Sequence, residues 1–193
     1  HGFVRTRPEL ATPDIQFLFA PASFDPTTRE LDKLPGMTIG IFQMRPESQG
    51  SIHTGSPDPM AAPLIRPNFL STIVDQQTLA AGMHIARQIG QAKALAPYRS
   101  HELKPGENCK DDDALLSYAR ATGASIYHVM GTCKMGTDTD PMAVVDNQLK
   151  VWGLDGIRIV DASIMPTMPS GNINAPVMMI AEKAATMIIE NAK

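Results

Sequence analysis

The chain has 193 residues, of which 43% are hydrophobic and 19% are charged, and its net charge is −3. This composition predicts a folded protein of one domain, or one and a part, and excludes a disordered or low-complexity chain. The weakly acidic balance and the lack of any Lys/Arg cluster argue against a partner such as nucleic acid. No apolar run is long enough to span a membrane and no signal peptide opens the chain, so the expected localisation is cytoplasmic, with targeting undecided if an N-terminal part is missing.

The first half of the chain has the pattern of short strands separated by loops. No periodicity is present in residues 1–13. Strands are predicted at 14–20, 37–44 and 50–54, with at most a short edge strand between the prolines at 63 and 67. A long loop is predicted at 21–36. The connection before the third strand contains Pro46, Ser48 and Gly50, which predicts a hairpin and antiparallel pairing of the second and third strands.

The second half changes to helical spacing. Apolar residues recur from Val74 to Ile89 and predict a helix that ends near Gly90 or Ala94. Aspartates at 111–113 open a second helix, which Gly123 ends. A third helix, at 177–190, is apolar almost all round at its start and is expected to be buried. Strands followed by helices predict an α+β fold with a largely antiparallel sheet.

The candidate chemistry lies in the last third of the chain. His128 precedes Gly131, where a backbone can approach a ligand closely, and a neutral imidazole can accept an alcohol proton. A structural histidine is the alternative. Residues 157–163 alternate like a short buried strand that ends at Asp161 and Ala162, where open sheets place ligand contacts. A plain turn at the strand end is the alternative there.

Asn174 precedes the third helix and has two possible roles. It can cap the helix, with Pro176 in the first turn, where a missing N–H costs nothing. It can also donate a hydrogen bond to a substrate oxygen, and the two roles are compatible. Asn172 competes for the second role.

The two cysteines, Cys109 and Cys133, do not form a disulfide framework, and free thiols are predicted. Cys133 lies close in sequence to His128. Two potential ligands without a second pair do not make a zinc pattern, so no metal site is predicted.

The last third contains the segments HVMGTCKMG at 128–136, VD at 145–146, VDASIMP at 160–166 and NINAP at 172–176, and RPESQGSI at 45–52 and RPNF at 66–69 precede them. The residues and the spacing of these segments resemble the C-terminal part of the glucose–methanol–choline (GMC) oxidoreductases. The Gly-x-Gly-x-x-Gly fingerprint that cradles a dinucleotide is absent. In that family it lies near the N-terminus of a much longer chain, so this chain is expected to be a C-terminal fragment.

The resemblance implies a substrate-binding domain at residues 1–120 and an active-site segment at 121–193 that completes an FAD domain. It implies that His128 takes the hydroxyl proton as hydride passes to flavin N5, while Asn174 orients the same oxygen. The residues that the resemblance assigns to cofactor contact are Asp161, Ala162, Asn172, Ala175 and Pro176. The apolar start of the last helix would face the reduced flavin with its positive dipole end.

The implied reaction is FAD-dependent oxidation of an alcohol, choline-like or simple, to an aldehyde or ketone. The electron acceptor stays open. The implied partners are the alcohol and the N-terminal FAD domain, and this fragment alone is not expected to hold FAD. Its uncovered apolar turn at 177–180 favours self-association or local disorder. A free-standing binding domain without redox activity is the alternative, while a hydrolase is disfavoured because no Gly-x-Ser-x-Gly elbow is present.

Overall fold

The computed structural model describes residues 1–25, 28 and 30–191. Contacts divide the chain into two compact units. The first unit is His1–Gly50 with Pro67–Ala124, and the second is Ser51–Arg66 with Ser125–Lys193.

Within the described residues the regular elements are short strands followed by three α-helices. The strands are β1 (Gly2–Val4), β2 (Ile15–Ala20), β3 (Thr38–Gln43), β4 (Ser51–His53) and β5 (Leu64–Arg66). The helices are α1 (Ile73–Gly90), α2 (Asp112–Thr122) and α3 (Asn174–Asn191), with 3-10 turns at Lys93–Tyr98 and Ala162–Ile164. The predicted α+β class with antiparallel pairing is confirmed, because all three strand pairs are antiparallel.

The first unit is a three-stranded sheet in the order β1-β2-β3, covered by α1. Ile15, which is fully buried, pairs with Gln43 on β3 and packs with Phe17 and Ala86 in the core. The helix lies very close to the sheet at Gly82, where an added Cβ would stand 3.0 Å from side-chain atoms of Ile15 and Ile41. A larger residue there would overpack the contact.

Local capping explains the bounds of α1 and α2. The Thr72 side chain accepts a hydrogen bond from the backbone N–H of Asp75 at 3.3 Å, and that of Asp111 accepts from the N–H of Ala114 at 2.8 Å. Gly123 closes α2 by donating its N–H to the Ala119 carbonyl at 2.7 Å. These side chains satisfy amides that the helix itself leaves free, so the two helix predictions are confirmed.

The second unit contains the β4–β5 hairpin, α3 and a chain held by isolated bridges. These bridges join Met135 to Val145, Val145 to Val151 and Lys150 to Arg158. Its core consists of Val145, Leu149, Ile164 and Ala184. Irregular backbone can be packed in this way because the bridges and turns satisfy its polar groups.

Two expectations about strand pairing are wrong or incomplete. The predicted pairing of the second and third strands does not form, since β4 pairs with β5 instead of β3. The connection at 45–49 is not a turn, because Glu47 and Ser48 donate to the carboxylate of Asp75 on α1. β1 was not predicted, since three residues are too few to show a period.

The predicted buried strand at 157–163 is also wrong. Ile157 is 49% exposed, and Arg158 forms only an isolated bridge. The Asp161 side chain accepts the backbone N–H of Ser163 at 2.7 Å and starts a 3-10 turn. Short polar side chains that bond to nearby backbone compete with strand ladders in this way.

The burial that the apolar sequence of the last helix suggests is not seen in this chain, which exposes part of the turn at 177–180, as expected where that turn is uncovered. Ala184 is buried on α3, whereas Met178 and Met179 are 55% and 57% exposed. In the described part of the chain no helix has the length and apolarity that a membrane crossing needs. The loop predicted at 21–36 contains a Phe24–Leu31 bridge, and its residues 26, 27 and 29 lie outside the described residues.

Candidate active site

A ladder of three backbone hydrogen bonds places the segment after His128 beside Asp161 and Ala162. The amides of Gly131, Cys133 and Met135 donate to consecutive carbonyls, those of Ala162, Ser163 and Ile164, at 3.3, 2.9 and 2.8 Å. The two segments are 31 residues apart in sequence and share no strand. The structure therefore brings together two of the predicted parts of the site through backbone contacts.

Gly131 is required for this approach. Its φ is +83°, and a Cβ at this position would stand 3.2 Å from the Met165 carbonyl oxygen. A side chain would therefore be strained and crowded. The close approach that the sequence suggested is thus between two protein segments.

His128 is half-buried between two exposed neighbours, Tyr127 at 71% and Val129 at 68% exposure. Tyr127 has a φ of +65°, which is unusual for an aromatic residue. Within residues 1–25, 28 and 30–191, no side chain or backbone group forms a hydrogen bond with the His128 ring. Both ring nitrogens are therefore available to a ligand.

The Asp161 carboxylate is used locally, by one of its two oxygens. Its Oδ1 accepts both the backbone N–H and the hydroxyl of Ser163. Oδ2 accepts no hydrogen bond from the described residues. The carbonyl of Ala162 accepts the Gly131 amide. A capping role for Asp161 leaves one carboxylate oxygen free to contact a ligand.

The start of α3 differs from the predicted cap. Asn174 is the first residue of the helix, and Val177 donates to the carbonyl of Ile173 at 2.9 Å. Ile173 therefore occupies the cap position, and the capping role of Asn174 is wrong. Pro176 lies in the first turn, as predicted.

The first turn of α3 is open. Asn174, Ala175 and Asn172 are exposed, and the amides of Asn174 and Ala175 donate to none of the described residues. Free N–H groups and the positive dipole end at this point suit a partly negative ligand atom. The buried side chain of Ile173 anchors the turn.

A common core supports these segments. Ile164 follows Asp161 and Ala162, Ala184 lies on α3, and both pack in one cluster. Met135, at the end of the His128 segment, packs against the same cluster. All three predicted parts therefore rest on the core of the second unit, although no hydrogen bond joins the side chains of His128 and Asn174 in the described chain.

Lys134 forms an ion pair with Asp140. Its Nζ lies 2.7 Å from Asp140 Oδ2. The Lys134 hydrogen bond and the backbone N–H of Met142 lower the pKa of Asp140 below its usual range. The lysine charge is therefore neutralised by a neighbour six residues away.

A second polar centre, which the sequence analysis missed, lies in the first unit around Asp75. This carboxylate is 1% exposed and accepts from Gln43 Nε2 at 2.7 Å, from the amides of Glu47 and Ser48 at 2.9 and 2.8 Å, and from the Ser48 hydroxyl. Burial raises the pKa of Asp75, but these hydrogen bonds outweigh it and hold the pKa below its usual range. The only sequence signal was an acidic residue in a first helical turn.

In the described residues, no group of three or more His, Cys, Asp or Glu side chains is arranged to hold a metal ion. Cys109 and Cys133 are both free. Two surface cavities of the second unit, of about 400 and 290 Å³, are lined by the hairpin loop and by the region around Arg158, and neither includes His128 or Asn174.

Comparison with known proteins identifies the family of this chain. Residues 46–181, more than half of the chain, match the sequence profile described as GMC oxidoreductase. The chain belongs to the GMC oxidoreductase family. The matched range includes both His128 and Asn174.

Curated relatives of this GMC chain include the mitochondrial choline dehydrogenase of Mus musculus, 43% identical over 187 residues, which are 97% of this chain and 31% of the relative. The "Alcohol dehydrogenase [acceptor]" of Pseudomonas putida is 43% identical over 188 residues, 97% of this chain and 34% of the relative. The GMC chain thus spans about a third of the length of these relatives.

Solved structures give the same family. The pyridoxine 4-oxidase of Mesorbium loti has a TM-score of 0.86 at 29% identity, over 95% of this chain and 36% of that one. A fungal aryl-alcohol oxidase has a TM-score of 0.71 at 30% identity, over 79% of this chain and 25% of that one. The fold of the GMC chain is therefore that of a C-terminal part of these enzymes.

Proposed function

We propose that this chain is the C-terminal third of an FAD-dependent enzyme that oxidises an alcohol to an aldehyde or ketone. The observation that carries the proposal is the pairing of a histidine free of protein partners with an open helix N-terminus on one core. Buried polar side-chain atoms usually have hydrogen-bond partners, whereas neither nitrogen of this partly buried ring has one among the described residues. The relatives named choline dehydrogenase and alcohol dehydrogenase support the same reaction class.

The residues of the second unit fit a flavin. The free amides of Asn174 and Ala175 and the helix dipole suit the end of the ring that becomes negative on reduction. Asp161 Oδ2 has no partner in the described chain and can accept from a hydroxyl of the FAD ribityl or ribose. We assign cofactor contact to Asp161, Ala162, Asn172, Ala175 and Pro176. Bound FAD would supply the hydride acceptor.

His128 is the proposed general base. Its neutral imidazole accepts the hydroxyl proton of the alcohol, which lets electron density move towards the carbon that loses hydride. Asn174 donates an amide N–H to the same oxygen and stabilises the developing alkoxide. Asn172 is the competing donor. It is exposed as well, so substitutions at both positions are needed to choose between them.

The proposed substrates are choline-like or simple alcohols. This follows from the names of the Mus musculus and Pseudomonas putida relatives. Residues 1–120 would then form the substrate-binding domain, and 121–193 would complete the FAD domain, with the remaining part of the enzyme as partner. The cytoplasmic localisation stays a prediction, since the Mus musculus relative is named mitochondrial.

The test uses the complete enzyme, meaning a polypeptide that joins this chain to the part its relatives have beyond it. Under anaerobic conditions, choline and short primary alcohols should bleach the oxidised flavin absorbance in one phase that saturates with alcohol. The matched controls are a short-chain carboxylic acid and a quaternary ammonium compound, neither of which carries an alcohol hydroxyl. A flavin that no alcohol reduces would contradict the proposal and favour a binding domain without redox activity.

A second test uses this chain by itself. Because the Gly-rich phosphate loop is absent from it, FAD should bind weakly, with little change in flavin fluorescence on titration. Stoichiometric binding at micromolar concentration would contradict this. Sedimentation of the same sample checks the predicted self-association through the exposed start of α3.

A further inference from the structure

The hairpin β4–β5 leaves and re-enters the first unit at two points that are bonded to each other. The chain passes out of the first unit after Gly50 and returns at Pro67. Just before the exit, the Gln49 carbonyl accepts from Asn68 Nδ2 at 2.9 Å. The two stems are therefore joined by a hydrogen bond two residues outside the first strand pair, Ser51 with Arg66.

Ser48 extends this connection into the buried Asp75 centre. Its hydroxyl accepts from the backbone amides of Ser71 at 2.9 Å and Thr72 at 3.3 Å, and it donates to the Asp75 carboxylate. One oxygen thus links the outgoing stem, the returning stem and α1. We call this set of bonds the stem clamp: Ser48, Asp75, Gln49 with Asn68, and the amides of Ser71 and Thr72.

The hairpin has little to hold it apart from the stem clamp. It consists of three residue pairs, and all six strand residues are exposed, with Ile65 at 63% and Leu64 at 52%. A two-stranded hairpin without a covered face is marginally stable. Its ten-residue loop, 54–63, adds a closure cost that a fixed base reduces.

We propose that Ser48 and Asp75 are positioning residues that close the base of the hairpin 51–66 and thereby hold the segment that shares a compact unit with His128 and Asn174. The effect on catalysis rests on the proposed function. The effect on the hairpin stands without it.

The chemistry of the clamp requires a carboxylate at position 75. All of its four bonds come from donors, two at each oxygen. An amide would place an N–H₂ group against at least one backbone N–H that has no other partner. Asp75→Asn therefore removes hydrogen bonds of the stem clamp without changing the size of the side chain. Ser48→Ala removes the hydroxyl and keeps the Ser48 backbone bond to Asp75.

Asp14 provides the matched control. It is 7% exposed in the same unit and accepts from the Thr6 amide at 2.7 Å and the Thr6 hydroxyl at 2.6 Å. Neither Thr6 nor Asp14 belongs to the stem clamp. Asp14→Asn thus makes the same exchange of a buried carboxylate for an amide without touching the hairpin base.

The first measurement is amide hydrogen exchange on the complete enzyme. In Asp75→Asn and Ser48→Ala, amides of 51–66 should exchange about tenfold faster or more, while β2 keeps its protection. Ser48→Thr, which keeps a hydroxyl, should restore the parental exchange. Asp14→Asn should leave the hairpin unchanged. Parental hairpin exchange in Ser48→Ala would overturn the proposal, even if Asp75→Asn does not fold.

The second measurement is anaerobic flavin reduction over a range of alcohol concentrations. Ser48→Ala should shift the half-saturating alcohol concentration or the limiting rate, and Ser48→Thr should reverse the shift. Unaltered kinetics together with a loosened hairpin would reject the catalytic part of the proposal. A parent enzyme whose flavin no alcohol reduces would refute the proposed function, and the exchange result would still decide the hairpin closure.

Discussion

The two compact units use their polar side chains in opposite ways. In the first unit, both oxygens of the buried Asp75 are bonded to protein groups, and the core around Ile15 and Leu115 is sealed from solvent. In the second, the ring of His128 and the backbone amides of Asn174 and Ala175 have no protein partners among the described residues. The buried carboxylate of the first unit thus stabilises the fold, while the unbonded groups of the second unit remain available to a ligand.

The largest effect should come from His128, because it has no structural bonds to lose. In the complete enzyme, His128→Ala should leave FAD bound and slow anaerobic flavin reduction by about 10²–10⁴-fold, the usual contribution of a positioned general base. His101, which bonds only the adjacent Ser100 hydroxyl, is the control. A His128→Ala enzyme within a few-fold of the parent would remove this residue from the mechanism.

Asn174 comes next, and the structure sharpens its test. Since Ile173 holds the cap position, Asn174→Ala should cost little stability, yet flavin reduction should fall about 10²–10³-fold if the amide stabilises the alkoxide. Asn174→Asp should be slower still, because a carboxylate repels the alkoxide. Asn174→His can donate from its ring and should keep measurable activity. Parental rates in the Asp variant would end the proposed role, and the same series at Asn172 tests the competitor.

A buried site of the first unit and an exposed site of the second can be compared by the same change, isoleucine to alanine. Ile15→Ala, at a fully buried site, should lower the free energy of unfolding by about 2–5 kcal/mol. Ile189→Ala, at a site 60% exposed on α3, should change it by about 0.5 kcal/mol or less. Urea denaturation of this chain measures both. A large, concentration-dependent cost at Ile189 would mean that α3 is covered by a second copy.

The smallest effects concern acid stability. Because the pKa of Asp75 is lowered on folding, its stabilisation is present above the unfolded value and is lost as pH falls through the folded one. Asp75→Asn should therefore flatten the acid side of the stability curve. Asp140→Asn should act in the same direction but weakly, and salt should abolish its effect, since the Lys134 pair is solvated. Equal salt sensitivity at both sites would contradict the contrast between the two units.

The sequence by itself determined the features that depend on neighbours in the chain. α1 and α2 begin at Thr72 and Asp111 because those side chains cap the following turn, and Gly123 ends α2 for an equally local reason. The sequence likewise predicted the α+β class, and segments such as HVMGTCKMG indicated the GMC family. The grouping of His128, Asp161 and Asn174 came from that resemblance and stays a prediction as an active site.

Only the tertiary structure decided the pairing of β4 and the buried centre at Asp75. Ser48 and Asp75 are 27 residues apart, and their bond diverts the segment that looked like a hairpin turn. Residues 157–163 show alternation but form no strand, since a local bond of Asp161 competes with any ladder. Such outcomes depend on which distant donor meets which acceptor, and periodicity along the chain carries no information about that choice.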